Sequence, residues 1–106
     1  MNQLLTMPSV DTLFIPILQA LKNLGGSGTI EEINIEVIRI LNLPDELLNV
    51  LHGNTSKSKV EYRSGWSRTY LKKYGLIENS ARGVWSLTST SIDLDGIDPK
   101  EIIRVV

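Results

Sequence analysis

Residues 62–77 read YRSGWSRTYLKKYGLI, and the rest of the chain is understood outward from this stretch. It contains no Pro, and its one interior glycine, Gly65, costs a helix only about 1 kcal/mol relative to Ala, so a helix is predicted. At about 100° per residue, Tyr62, Trp66, Tyr70 and Tyr74 fall at roughly 0°, 40°, 80° and 120°, one continuous stripe. Glu61, Ser64, Arg68 and Lys72 fall on the other side. The expectation is that the aromatic stripe, with Leu71, anchors this helix on a core while Ser64, Arg68 and Lys72 point away toward a charged partner. Arg63 lies at roughly 100° on the same projection, on the apolar side, so its head must snorkel out or pair internally.

The surrounding chain has 106 residues, the size of one domain with a single modest core. At 42% apolar and 22% charged residues, it has the composition of a globular protein and not that of a disordered one. No apolar run approaches the roughly 20 residues of a membrane span. The opening MNQLLTMPSV also lacks the basic segment of a signal peptide. A cytoplasmic protein without membrane contact is expected. There is no Cys, and His52 is the lone His, so neither a disulfide nor a structural zinc site is expected.

The formal net charge of −1 conceals an uneven distribution. Residues 1–56 hold two cations and six acids, a local −4, whereas residues 57–82 hold seven cations and two acids, a local +5. The remainder, with Lys100 and Arg104 against Asp93, Asp95, Asp98 and Glu101, stands at −2. A basic field on one quarter of the chain favours polyanion binding on one face.

Upstream, Ser9 is a candidate N-cap for a helix with apolar residues from Val10 to Leu24 at helical spacing, containing Pro16 in its first turns and stopped by Gly25-Gly26. Thr29 and Glu32 form a capping box for a second amphipathic helix ending near Asn42. Pro44 at an N1 position, followed by Asp45 and Glu46, opens a short third helix through Leu51. The polar HGNTSKS of residues 52–58 reads as a loop, and the basic helix follows from about Lys59 to Tyr74, with Gly75 as its terminator. Two strands, Leu76 to Glu78 and Val84 to Leu87, flank a turn of residues 79–83. Asp98 and Pro99 start a last short helix that carries Ile102, Ile103, Val105 and Val106.

Helices followed by a β-hairpin give a mainly α fold with a small β-hairpin, the order of a winged helix-turn-helix, whose last helix enters the major groove of DNA while the hairpin touches the backbone. Arg68 is then the candidate for a guanine edge, because Arg can bridge O6 and N7. Arg82 at the hairpin tip is placed for a phosphate or the minor groove. Lys57, Lys59, Lys72 and Lys73 supply phosphate contacts, with Arg63 and Ser64 completing the DNA-binding set. Trp66 and Trp85 read as core residues and His52 as a loop residue. Asp98-Pro99-Lys100 fits half of a nuclease metal motif, with Pro44-Asp45 as its counterpart, but both dipeptides sit at helix starts and no metal or other cofactor is expected.

Residues 62–87, YRSGWSRTYLKKYGLIENSARGVWSL, resemble the N-terminal domain of Mrr-like restriction endonucleases, in which a GW-x-RTYLKK-x-GL segment is followed by a short spacer and RGVW. Gly65, Trp66, Arg68 to Lys73, Gly75 and Leu76 match the first motif, and Arg82 to Trp85 the second. FIPILQAL at residues 14–21 is similar to the family's opening helix with its internal Pro. The resemblance implies a prokaryotic winged-helix module that binds double-stranded DNA, methylated DNA included, and delivers a C-terminal endonuclease domain in a restriction system. On that basis residues 1–90 are the DNA-binding domain and residues 91–106 the start of a linker to a nuclease domain missing here. The fragment itself then binds without cutting. Its other expected partners are its own nuclease domain and a second copy of the chain. The alternative reading is a winged helix devoted to protein interaction or dimerisation, suggested by the acidic N-terminal half and the apolar terminus.

Overall fold

The computed structural model describes residues 7–50 and 58–106. It is mainly helical with a small three-stranded antiparallel sheet, an arrangement compatible with a winged helix. Its elements are α1 (Phe14–Asn23), β1 (Ser27–Thr29), α2 (Ile30–Leu41), α3 (Asp45–Leu48), α4 (Lys59–Tyr74), β2 (Ile77–Ala81), β3 (Val84–Leu87) and α5 (Pro99–Val105).

Local chemistry sets the ends of these elements. A 3₁₀ turn at Asp11–Leu13 precedes α1, so Pro16 falls at the third helical position, where a backbone N–H has no intrahelical acceptor to lose. Thr29 and Glu32 form the expected capping box, with Glu32 N donating to Thr29 Oγ1 at 3.1 Å and Thr29 N to Glu32 Oε1 at 2.8 Å. A second capping box, unpredicted, opens α4 from Ser58 and Glu61 at 3.1 Å in each direction. Gly75 ends α4 at φ +101°, and both Gly75 N and Leu76 N donate back to Leu71 O. Pro44 is the N-cap of α3 and not its first residue, with extended backbone. The predicted loop from His52 lies outside the described residues except for Ser58.

The sheet order is β1-β3-β2, with Gly28 opposite Trp85 and Ile77 opposite Leu87. β1 is absent from the sequence reading because Ser-Gly-Thr carries no strand-forming run. A Cβ at its Gly28 would lie 2.8 Å from Leu24 Cδ1, so a larger residue there would displace the end of that side chain. β2 also reaches further than expected. A bulge between Asn79 and Ala81 lets the polar residues stay paired, and the turn shrinks to Arg82-Gly83, with Gly83 at φ +72°.

The core is built from Leu13, Phe14, Ile17, Leu18 and Leu21 of the first helix and its lead-in, Ile33 and Val37 of α2, and Leu71 of α4. Ile77 and Leu87 close it from the sheet. Residues 91–106 pack on this same core. Ile102 of α5 is buried with only 1% exposure, and Ile92, Leu94 and Ile97 pack beside it. Asp98 caps α5 by accepting from Lys100 N at 3.0 Å, and Tyr74 of α4 donates to the Glu101 carboxylate, which raises the phenol's pKa. Among the described residues, no helix is long and apolar enough to cross a membrane.

Two outcomes check this arrangement. Ile102→Ala is expected to lower stability by about 2–5 kcal/mol in urea unfolding, the cost of a cavity in a filled core; an unchanged midpoint would show α5 to be a mere appendage. Glu36, which accepts from Arg39 and from Asn23 at the end of α1, is held down at a pKa of about 2. Because the folded value is depressed, what this carboxylate contributes is present above the ordinary carboxylate range and lost as pH falls toward 2. In NMR side-chain titration Glu36 should titrate well below the ordinary carboxylate range, and Arg39→Gln should bring it back toward that range.

Candidate nucleic-acid interface

The face of α4 that meets the core is turned by about a third of a turn from the aromatic stripe, with Leu71 buried as expected. The buried residues are Val60, Ser64, Ser67, Arg68 and Leu71, a row at helical spacing. Tyr62 is 37% and Trp66 47% exposed. Only the C-terminal end of the stripe turns inward. There Tyr70 packs against Phe14, with ring centroids 6.0 Å apart, and Tyr74 packs on the core.

The expected outward orientation of Ser64 and Arg68 is therefore corrected, and so is the burial expected of Trp66. The physical reason is the set of polar contacts this face makes. Ser67 sits against the lead-in to α1, and Ser64 and Arg68 reach Asn34 of α2 through their side chains. Ser67 Oγ donates to Val10 O at 2.7 Å, and Ser64 Oγ to Asn34 Oδ1 at 3.2 Å. Arg68 Nη1 donates to Ser64 Oγ at 3.1 Å and Asn34 Oδ1 at 3.4 Å. The Arg68 side chain runs back along the helix toward Gly65, whose added Cβ would lie 3.6 Å from Nη2. At 7% exposure it has no acid partner among the described residues, and burial lowers its pKa. Nothing in the sequence marks Asn34, the hub of this cluster, because its role exists only once α2 and α4 meet.

The other predicted residues spread over three places. Lys59 is partly exposed at the first position of α4. Arg63 does pair internally, donating to Pro8 O at 3.0 Å. Lys72 is exposed at the far end of α4 and reaches the hairpin. Its Nζ donates to Asn79 Oδ1 at 3.2 Å and stands 5.9 Å from the centre of the Trp85 ring, a cation–π contact. Lys73 is exposed, and Arg82 is exposed in the hairpin turn. Lys57 lies outside the described residues.

The outward face of α4 is thus Lys59, Tyr62, Gly65, Trp66, Thr69 and Lys73, an aromatic centre between two lysines. The hairpin, carrying Arg82, is pinned to the C-terminal end of the same helix through Lys72. No cluster of three or more His, Cys, Asp or Glu fit to hold a metal occurs among the described residues.

Arg68→Ala, which removes a buried side chain and its hydrogen bonds, and Asn34→Ala, which takes an acceptor from both Ser64 and Arg68, are each expected to lower folding stability by about 1–3 kcal/mol. Unchanged chemical unfolding of both variants would contradict the clamp.

Comparison with known proteins gives one match. Residues 11–95 fit the family model described as the Mrr N-terminal domain. No curated protein and no solved structure matches the chain.

Proposed function

This chain belongs to the Mrr N-terminal domain family, and from that premise we propose that it is a winged helix that binds double-stranded DNA with α4 in the major groove. The observation that carries the reading is the outward face of α4, where Lys59 and Lys73 bracket exposed aromatic residues. Lys72 and the exposed Arg82 extend the cationic surface onto the hairpin. DNA phosphates meet these cations and give affinity without sequence preference. Arg68 and Ser64 act behind the interface, holding α4 at the angle that presents it.

In the whole protein this module brings a nuclease domain to DNA, as expected of an Mrr-family restriction system in a prokaryotic cytoplasm, and methylated duplexes are among its targets. The module itself binds and does not cut.

A second reading is favoured by α2. Ile35 is 60% exposed and lies with Ile30 beside Glu31 and Glu32, an apolar and acidic surface that repels phosphate and suits a protein partner. The nuclease domain or a second copy fits it. A strictly monomeric chain with no affinity for the nuclease domain would count against this reading.

Fluorescence anisotropy with a labelled duplex across a salt series tests the DNA-binding proposal. Affinity should fall steeply with salt, and Lys73→Ala or Arg82→Ala should each weaken binding to all sequences and reduce the salt slope by about 1. Absence of binding at low salt would overturn it.

A further inference from the structure

We propose that Trp66 is a specificity-determining residue that reads the C5-methyl group of a pyrimidine in the major groove. The inference rests on the reading that α4 enters that groove, and it assigns a basis for sequence selection that phosphate contacts cannot supply.

Lys59, Trp66 and Lys73 are spaced by seven residues, so they share one face and the lysines stand about 10 Å to either side of the indole along the helix axis. A helix seated in the groove with its lysines toward the phosphate walls places Trp66 over the base edges. The groups around it decide what it can read. Gly65 and Thr69 border a shallow hollow with Tyr62 and Trp66. Thr69 commits its hydroxyl to Gly65 O at 3.2 Å, within the helix.

Apart from the two lysines, which stand about 10 Å from the indole toward the phosphate walls, this face carries no Arg, Asn, Gln, Asp or Glu to hydrogen-bond base edges. The candidate that sequence reading placed in that role, Arg68, is turned inward. What the face offers instead is apolar surface. The apolar group a base pair displays in the major groove is the pyrimidine C5-methyl, carried by thymine and by 5-methylated cytosine. An indole edge over Gly65 and Thr69 suits a methyl group. Burial of one methyl group contributes about 0.8 kcal/mol, about a fourfold change in affinity per methyl contacted.

The test uses the 106-residue chain and random-sequence duplex pools at one salt concentration. One pool contains thymine and a second contains uracil throughout, which removes the C5-methyl and nothing else. A third contains thymine with 5-methylcytosine in place of cytosine. Wild-type protein should bind the thymine pool several-fold more tightly than the uracil pool. A further gain on the third pool identifies methylated cytosine as a second source, and no gain assigns the contact to thymine. Trp66→Ala should erase the preference while leaving the salt slope unchanged, and Trp66→Phe should retain part of it. As Trp66 is half exposed, both variants should keep the wild-type melting curve.

Equal binding of the first two pools by wild-type protein overturns the inference alone. So does a thymine preference that survives Trp66→Ala, or tighter binding to single-stranded pools, which would make the indole a stacking platform. Binding to no pool overturns the DNA-binding reading and this inference with it.

Discussion

The packing of α4 on the lead-in to α1 at Ser67, with Ser64 and Arg68 hydrogen-bonded to Asn34 of α2, sets the orientation on which the rest of the molecule depends. Both hydroxyls are buried, so each must find a hydrogen-bond partner inside the fold. Val10 O and Asn34 Oδ1 provide those partners. With this face inward, Tyr62 and Trp66 are exposed and Arg68 is buried. A rotation of α4 by about a third of a turn would bring the aromatic stripe onto the core. The buried hydroxyls and the guanidinium oppose it, because each would lose its acceptor.

Much of this fold is legible in the chain because capping chemistry is local. Thr29 with Glu32, Asp98 with Pro99, and Gly75 state where helices begin and end without reference to anything distant. The amphipathic period of α1 and α2 is equally plain. The orientation of α4 is not, and the reason is specific. Its aromatic side chains lie on one side, whereas its buried side relies on Val60, Leu71 and residues that hydropathy scores as surface. The contact energy of Ser67 with Val10 O belongs to a pair 57 positions apart. Helical projection of α4 alone contains no sign of it. β1 was hidden for a related reason, since Ser27–Thr29 becomes a strand only by pairing with β3.

The candidate site follows the same division. The concentration of cations in residues 57–82 was visible as charge, and Lys59, Lys72, Lys73 and Arg82 do reach the surface. Which of the large side chains stand beside them was decided by tertiary packing. Arg68, the strongest candidate from chemistry alone, serves the interior, and the exposed indole of Trp66 takes the centre of the outward face. The segment beyond residue 90 shows the same dependence on packing, because Ile102 and the Tyr74–Glu101 contact tie it to the core that supports α4.

The claim that this orientation makes a DNA-binding surface is tested most directly by titrating a short duplex into isotope-labelled protein and following backbone amide and indole resonances. The largest shifts are expected at Lys59, Tyr62, Trp66, Thr69 and Lys73, with a second group at Arg82 and Gly83, and a displaced Trp66 indole signal. Shifts centred on Ile30 and Ile35 of α2, or none at all on α4, would contradict it.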